Sequence, residues 1–297
     1  MNKKLFIFTE GGPGIGLGHF ARCSALYEEA QKQGMEVQFI VNKAAEGLEI
    51  LAKKNVVFSD WQSVDVISGF DVKGSYCIVD SYIAGPDVYK YISKESKRAL
   101  YFDDENRLVY PEGILLNAQV TNKYQDIESL LGVECALVRE DFFKHKKIET
   151  REQVNDVLVS LGADLHKLTP RIAGILSQHF SDAVIHFAKG LSAENMAKLI
   201  ARCDLGVIAA SQTALEFCAV GTPFVCIKTA ANQNLTWLVE NDIIREGISW
   251  DNLNLDEKIL AQVKELSSYN AREQKRVLLQ SIIHADSAER IIRRLTR

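Results

Sequence analysis

The strand-like run KLFIF leads into TEGGPGIGLGHFARC at 9–23, where Gly11, Gly12, Gly14, Gly16 and Gly18 precede His19. Glycines at that density let backbone amides approach a ligand closely, which suits an anion. His19 then opens the following helix. The positive end of a helix disfavours further positive charge, so an imidazole there tends to stay neutral near pH 7, as a general base must. The chemistry on offer is activation of a water beside a bound anion. The competing reading is a helix-start histidine that only hydrogen-bonds a neighbouring carbonyl.

Two familiar glycine loops fail against this segment. A dinucleotide fingerprint needs glycine where Leu17 or Ala21 stands, and strand two ends in Asn42 and Lys43 rather than in an acid that grips a ribose. A phosphate loop of the GK[ST] type is also absent here. Asp103, Asp104 and Glu105 form the densest carboxylate cluster and suit either a divalent cation or a polar turn, the turn being favoured. His145, His166, His179, His186 and His284 lack metal-ligand spacing and read as structural or surface residues. The six cysteines are scattered with no CxxC pair, as small buried apolar residues would be. No metal and no cofactor is expected.

The elements that must position His19 follow a βαβ rhythm. Apolar runs KLFIF, VQFIV, VVF, YCIVD, RALYF, GILLN and CALV alternate with helical stretches near 19–33, 44–53 and 86–96, predicting seven strands of a doubly wound sheet. REDFFKHKKIETREQ at 139–153 is charged and reads as a solvated linker, placing the domain boundary at 145/146. VLVSLG, AVIHF, LGVIAA and PFVCI then repeat the pattern with intervening helices, and 255–296 reads as two amphipathic helices. The expected fold is α/β, with domains 1–145 and 146–297 as two doubly wound parallel sheets facing a cleft at the carboxyl ends of their strands.

Composition bounds the function. A net charge of -4 with 25% charged and 47% hydrophobic residues suits a globular protein and disfavours a broad nucleic-acid surface. MNKKLFIFTE continues into an acid and a glycine cluster, so it reads as strand one rather than a signal peptide. No run is long enough to span a bilayer. A cytoplasmic monomer is expected.

GIGLGHFARC, IVDSY, FDDE, LLN and ALVREDF, followed by SLGAD, AASQTALEFCAVGTPFVCI and NQNLTWL, together resemble the UDP-2,4-diacetamido-2,4,6-trideoxy-altropyranose hydrolases of pseudaminic acid biosynthesis and related spore-coat polysaccharide proteins. The resemblance covers about residues 4–247 and implies a GT-B fold similar to that of MurG-type glycosyltransferases. It implies that His19 is the base for the attacking water, shaped by Gly16 and Gly18, and that Asp80 and Tyr82 line the sugar side. It also implies that Gly162, Ala163 and Asp164 border the diphosphate, that Ser211 and Gln212 donate to the nucleotide, that Glu216 binds ribose hydroxyls, and that Asn232 and Gln233 reach phosphate or sugar amides. Thr9 and Glu10 stand where the family usually carries Arg and Asp, and Ala163 stands where it often carries glycine.

The activity so implied is metal-independent, inverting hydrolysis of a UDP-linked amino sugar at its anomeric carbon. Two alternatives use the same fold: a glycosyltransferase that passes the sugar to an acceptor, and a nonenzymatic sugar-nucleotide-binding protein.

Overall fold

The computed structural model describes residues 3–12, 15–120, 126–162, 164, 166–188 and 190–297. The chain divides into two compact units, residues 1–137 with 286–297, and residues 138–285. In the first, β1 (Lys4–Thr9), α1 (Gly18–Lys32), β2 (Glu36–Val41), β3 (Val56–Phe58), α2 (Val64–Ile67), β4 (Tyr76–Asp80), α3 (Pro86–Glu95), β5 (Arg98–Phe102), β6 (Ile114–Asn117) and β7 (Glu128–Leu131) build a parallel sheet of order β3-β2-β1-β4-β5-β6-β7. Strand order reverses between β1 and β4, which pair from Leu5↔Tyr76 to Thr9↔Asp80. Helices cover both faces, so β4 is buried at every position, as a strand in a parallel sheet must be. On one face Phe20, Cys23, Leu26, Tyr27 and Ala30 of α1, at helical spacing, pack with Leu5, Ile7 and Phe39; on the other, Val88, Tyr89 and Ile92 of α3 pack with Phe8 and Val79.

The second unit runs α4 (Glu140–Lys144), β8 (Asp156–Ser160), α5 (Thr169–His179), β9 (Val184–Phe187), α6 (Ala193–Arg202), β10 (Leu205–Ala209), α7 (Gln212–Val220), β11 (Phe224–Lys228), α8 (Thr236–Glu240), β12 (Ile248–Ser249), α9 (Leu255–Glu265) and α10 (Tyr269–Ile282). Its parallel sheet has the order β12-β11-β10-β8-β9, with the reversal between β8 and β10. Val157, Val159, Val207, Val225 and Ile227 form its core with Ile172, Leu176, Ile259 and Val263. A last helix, α11 (Ser287–Thr296), returns to the first unit, where Ile291, Ile292 and Leu295 join the core beside α1.

The doubly wound expectation holds for both units, with local differences. The stretch 44–53 is two 3-10 turns, Lys43–Ala45 and Glu49–Leu51, because Gly47 between them takes φ 82° and stops helix propagation. The seventh strand is β7; at 135–138 the chain has already turned at Gly132 (φ 88°) into a 3-10 turn, Val133–Cys135. Three helices rather than two follow 255, since Ser268 caps α10 through the Ala271 amide and so starts a new helix. The units divide at 137/138 rather than 145/146, and 286–297 belongs with the first unit. Lys147, read as part of a solvated linker, is buried and donates to the carbonyls of Ala201 and Cys203 at the end of α6. All six cysteines are free and buried. No described helix is long and apolar enough to cross a membrane.

Candidate functional site

Ligands of open α/β sheets bind beyond the carboxyl ends of the strands where the order reverses. In the first unit that point is the end of β1 and β4. The glycine loop leaves β1 there, and Asn42 at the end of β2 ties it down twice: its Oδ1 accepts from the Gly11 amide at 2.9 Å and its Nδ2 donates to the Gly11 carbonyl at 3.0 Å. Gly12 and Gly16 exchange backbone hydrogen bonds at 2.8 Å, and both hold positive φ, 106° and 90°, that side chains disfavour. Gly18 is the first residue of α1 and His19 the second. Gly14 lies outside the described residues.

His19 is 6% exposed, and its Nδ1 lies 3.1 Å from Oδ1 of Asp80, the last residue of β4. The carboxylate and the Asp80 backbone carbonyl, 3.4 Å from the same nitrogen, only accept, so Nδ1 carries a proton. The Tyr82 ring meets the imidazole edge-on at 4.5 Å. Arg22, one turn along α1, grips Asp80 with Nε at 2.7 Å and Nη2 at 2.6 Å, and its Nη1 donates to Asp104 at 2.9 Å; Tyr82 donates to the other Asp104 oxygen at 2.7 Å. Burial alone would push the Asp80 carboxyl up, but the Arg22 guanidinium, His19 and the hydrogen bonds outweigh it and hold that carboxyl below its ordinary range. The result is a buried Asp–His pair with an ionised acid, the arrangement by which an imidazole is held in the tautomer of a base.

Glu10, buried at the end of β1, accepts from Ser81 Oγ and the Tyr82 amide, both at 2.7 Å, and from Gln62 at 3.0 Å. It thereby shapes the turn that presents Tyr82. Asp103 Oδ1 accepts from the Glu105 and Arg107 amides, so the FDDE segment is a polar turn with Asp104 directed to Arg22 and Tyr82.

In the second unit, the sequence-derived residues fall on loops after β8, β10 and β11. Gly162 takes φ 64° with open space where a Cβ would stand. Ala163 lies outside the described residues. Asp164 precedes α5, whose cap residue is Leu168: the Asp164 Oδ1 accepts from the Leu168 amide at 2.7 Å and its Oδ2 from the Thr169 amide at 3.0 Å. Ser211 caps α7, accepting from the Thr213 amide, and Gln212 begins that helix. Glu216, about one turn past Gln212 in α7, is 5% exposed and paired with Arg139 at 2.9 Å. Burial pushes the Glu216 carboxyl above its ordinary range, with Arg139 opposing. Gln233 Oε1 accepts from the Thr229 and Ala230 amides and so closes the loop after β11, whereas Asn232 in the same loop is exposed.

No family model matches the chain. It is 25% identical over 276 aligned residues to the UDP-2,4-diacetamido-2,4,6-trideoxy-beta-L-altropyranose hydrolase of Campylobacter jejuni, a match covering 80% of this chain and 96% of that protein. It is 23% identical over 240 residues to the Helicobacter pylori pseudaminic acid cytidylyltransferase and UDP-2,4-diacetamido-2,4,6-trideoxy-beta-L-altropyranose hydrolase, covering 73% of this chain and 43% of that longer protein. Among solved structures, MurG of Acinetobacter baumannii superposes with a TM-score of 0.66 at 13% identity, covering 99% of both chains. The spinosyn rhamnosyltransferase SpnG complexed with thymidine diphosphate gives 0.64 at 11% identity, covering 99% of this chain and 100% of that one. The fold is GT-B, and the sequence resembles these hydrolases.

Within this GT-B chain, sequence reasoning found His19, Asp80 and Tyr82, which the structure brings together, but missed Arg22, Asn42 and Arg139 as members of their sites. Arg22 carried a legible signal, standing three residues after His19 and so on the same helix face. Arg139 carried none, since its partner lies 77 residues away. Replacing Arg139 by alanine would strand the Glu216 carboxylate without its cation. Breaking a buried pair from one side costs about 3–5 kcal/mol, less whatever protonation of Glu216 recovers. Urea unfolding of Arg139→Ala is therefore expected to show a fall of several kcal/mol at pH 7 that shrinks as pH is lowered and Glu216 takes up its proton. Equal destabilisation at pH 5 and pH 8 would contradict the pairing.

Proposed function

We propose that this protein is a UDP-sugar hydrolase that releases UDP from a diacetamido-trideoxy sugar nucleotide for nonulosonic acid or surface polysaccharide synthesis. The observation that carries the reading is the His19–Asp80 pair at the strand-order reversal, in a chain similar to hydrolases that bear that name. In this reading the nucleotide is taken by the second unit's loops, with Ser211, Gln212 and the start of α7 at the diphosphate and Glu216 at the ribose. His19 Nε2 removes a proton from water as the water oxygen bonds to the anomeric carbon. The bond from that carbon to the β-phosphate oxygen breaks, its electron pair leaves with UDP, and configuration inverts. Asp80 stabilises the imidazolium that forms. A resident metal is not part of this chemistry, so a chelator should leave turnover unchanged.

The test is UDP release, followed by phosphorus NMR, from UDP-diacetamido-trideoxy sugars without any acceptor and with or without chelator. Hydrolysis predicts stoichiometric UDP and free sugar. UDP that appears only when an acceptor hydroxyl is added would assign the chain to transfer instead, and binding without turnover would make it a binding protein.

A further inference from the structure

The nucleotide reading leaves a charge to be met. A bound diphosphate needs cationic or N–H partners, and at the start of α5 the Leu168 and Thr169 amides are already taken by the Asp164 carboxylate while Pro170 has no N–H to offer. Among the described residues of the loops that follow β8, β9, β10, β11 and β12, the basic side chains are His166 and Lys167. Lys167 is exposed, whereas His166 is held from two sides. Its Nε2 is 2.9 Å from the Thr229 carbonyl, and its ring lies flat on Trp250 with centroids 3.6 Å apart and planes 5° apart. A carbonyl only accepts, so Nε2 carries a proton and Nδ1 is the position at which a second proton adds. Among the described residues Nδ1 has no hydrogen-bond partner.

Topology gives the ring its place. His166 follows β8 and Thr229 follows β11, and β10 lies between those strands in the sheet. The bond between them therefore crosses the carboxyl end of β10, where Ala210 and Ser211 lead into the first turn of α7. An aromatic face beneath an imidazole favours its cationic form, as it does other cations.

We propose that His166, stacked on Trp250, is a diphosphate-binding residue: as an imidazolium it donates Nδ1–H to a phosphate oxygen beside the start of α7. This rests on the nucleotide-binding part of the function proposed above and adds a residue and a protonation state to it. The charged residues adjacent in sequence to the members of this stack are Asp164 and Lys167 on the His166 loop, Lys228 next to Thr229 and Asp251 next to Trp250. None of these is an imidazole.

The stack supplies its own probe. Imidazolium quenches a stacked indole, and Trp250 is 40% exposed while Trp61 and Trp237 are buried. Emission of the full chain is titrated with pH alone and with saturating UDP, UMP or uridine. UDP should raise the quenching midpoint, since an anion favours the cation, and uridine should leave it unmoved. By calorimetry His166→Gln should weaken UDP about tenfold to a hundredfold, abolish the tightening of UDP binding as pH falls, and leave uridine binding unchanged. UDP binding to the wild-type chain with an unmoved midpoint would overturn this inference and leave the hydrolase reading standing. No binding of UDP at all would remove both.

Discussion

Replacing His19 by alanine should lower acceptor-free UDP release by about 10²- to 10⁴-fold, the range a positioned general base contributes. Binding of UDP, measured by calorimetry, should be unchanged, because the loops assigned to the nucleotide belong to the second unit and His19 to the first. Loss of stability should be modest for a buried residue. Asp80 keeps both hydrogen bonds from Arg22, at 2.6 and 2.7 Å, so the carboxylate is not left uncompensated when the ring goes. The separation of the two effects is the informative part. A histidine that only braces the helix start would show a lowered melting temperature with turnover near wild type. A base would show the reverse.

Much of this site could be read from the residues themselves. The glycine run and His19 are local in sequence, and strands β1, β2, β4 and β5 are apolar runs buried on both faces. A periodic signal of that kind survives without tertiary context. The seventh strand was not legible, because ESLL is short and half-buried at the sheet edge, while CALV is the more apolar run and is buried as the end of a 3-10 turn and the connector after it. Glu10 looked like a departure from a family pattern. Its partners Ser81 and Tyr82 lie 71 and 72 residues away, and only the pairing of β1 with β4 makes it the anchor of the turn carrying Tyr82. Asp164 shows another limit: SLGAD suggested a neighbour of phosphate, and nothing in that run disclosed that its carboxylate accepts from the Leu168 and Thr169 amides. That occupation is a matter of rotamer and loop conformation, with Asp164 itself at φ 43°, which no spacing reports.

Asp80→Asn should reduce turnover by about 10²- to 10⁴-fold with KM little changed, although the substitution conserves shape. The carboxylate accepts from Arg22 at two positions and from Cys23 Sγ at 3.4 Å, and its Oδ1 lies 3.1 Å from His19 Nδ1, which also faces the Asp80 backbone carbonyl at 3.4 Å. A carboxamide cannot satisfy all of these as an acceptor. If its NH₂ turns toward the imidazole it donates to Nδ1, which moves the ring proton to Nε2, the nitrogen that must receive a proton from water. If it turns toward Arg22, two donors face each other inside a buried site. The first arrangement avoids the larger electrostatic cost because the neutral ring can change tautomer and the guanidinium cannot. Catalysis is then lost through His19, so the double substitution with His19→Ala should be no slower than His19→Ala alone, whereas independent roles would multiply. Stability supplies a second readout with a definite sign. The Asp80 carboxyl is held below its ordinary range, so its stabilisation is complete above about pH 4 and is lost as pH falls through the lower folded value. Urea midpoints of the wild type should therefore fall more steeply on acidification than those of Asp80→Asn. Parallel curves, or multiplicative rate losses in the double variant, would show that Asp80 does not act through the imidazole.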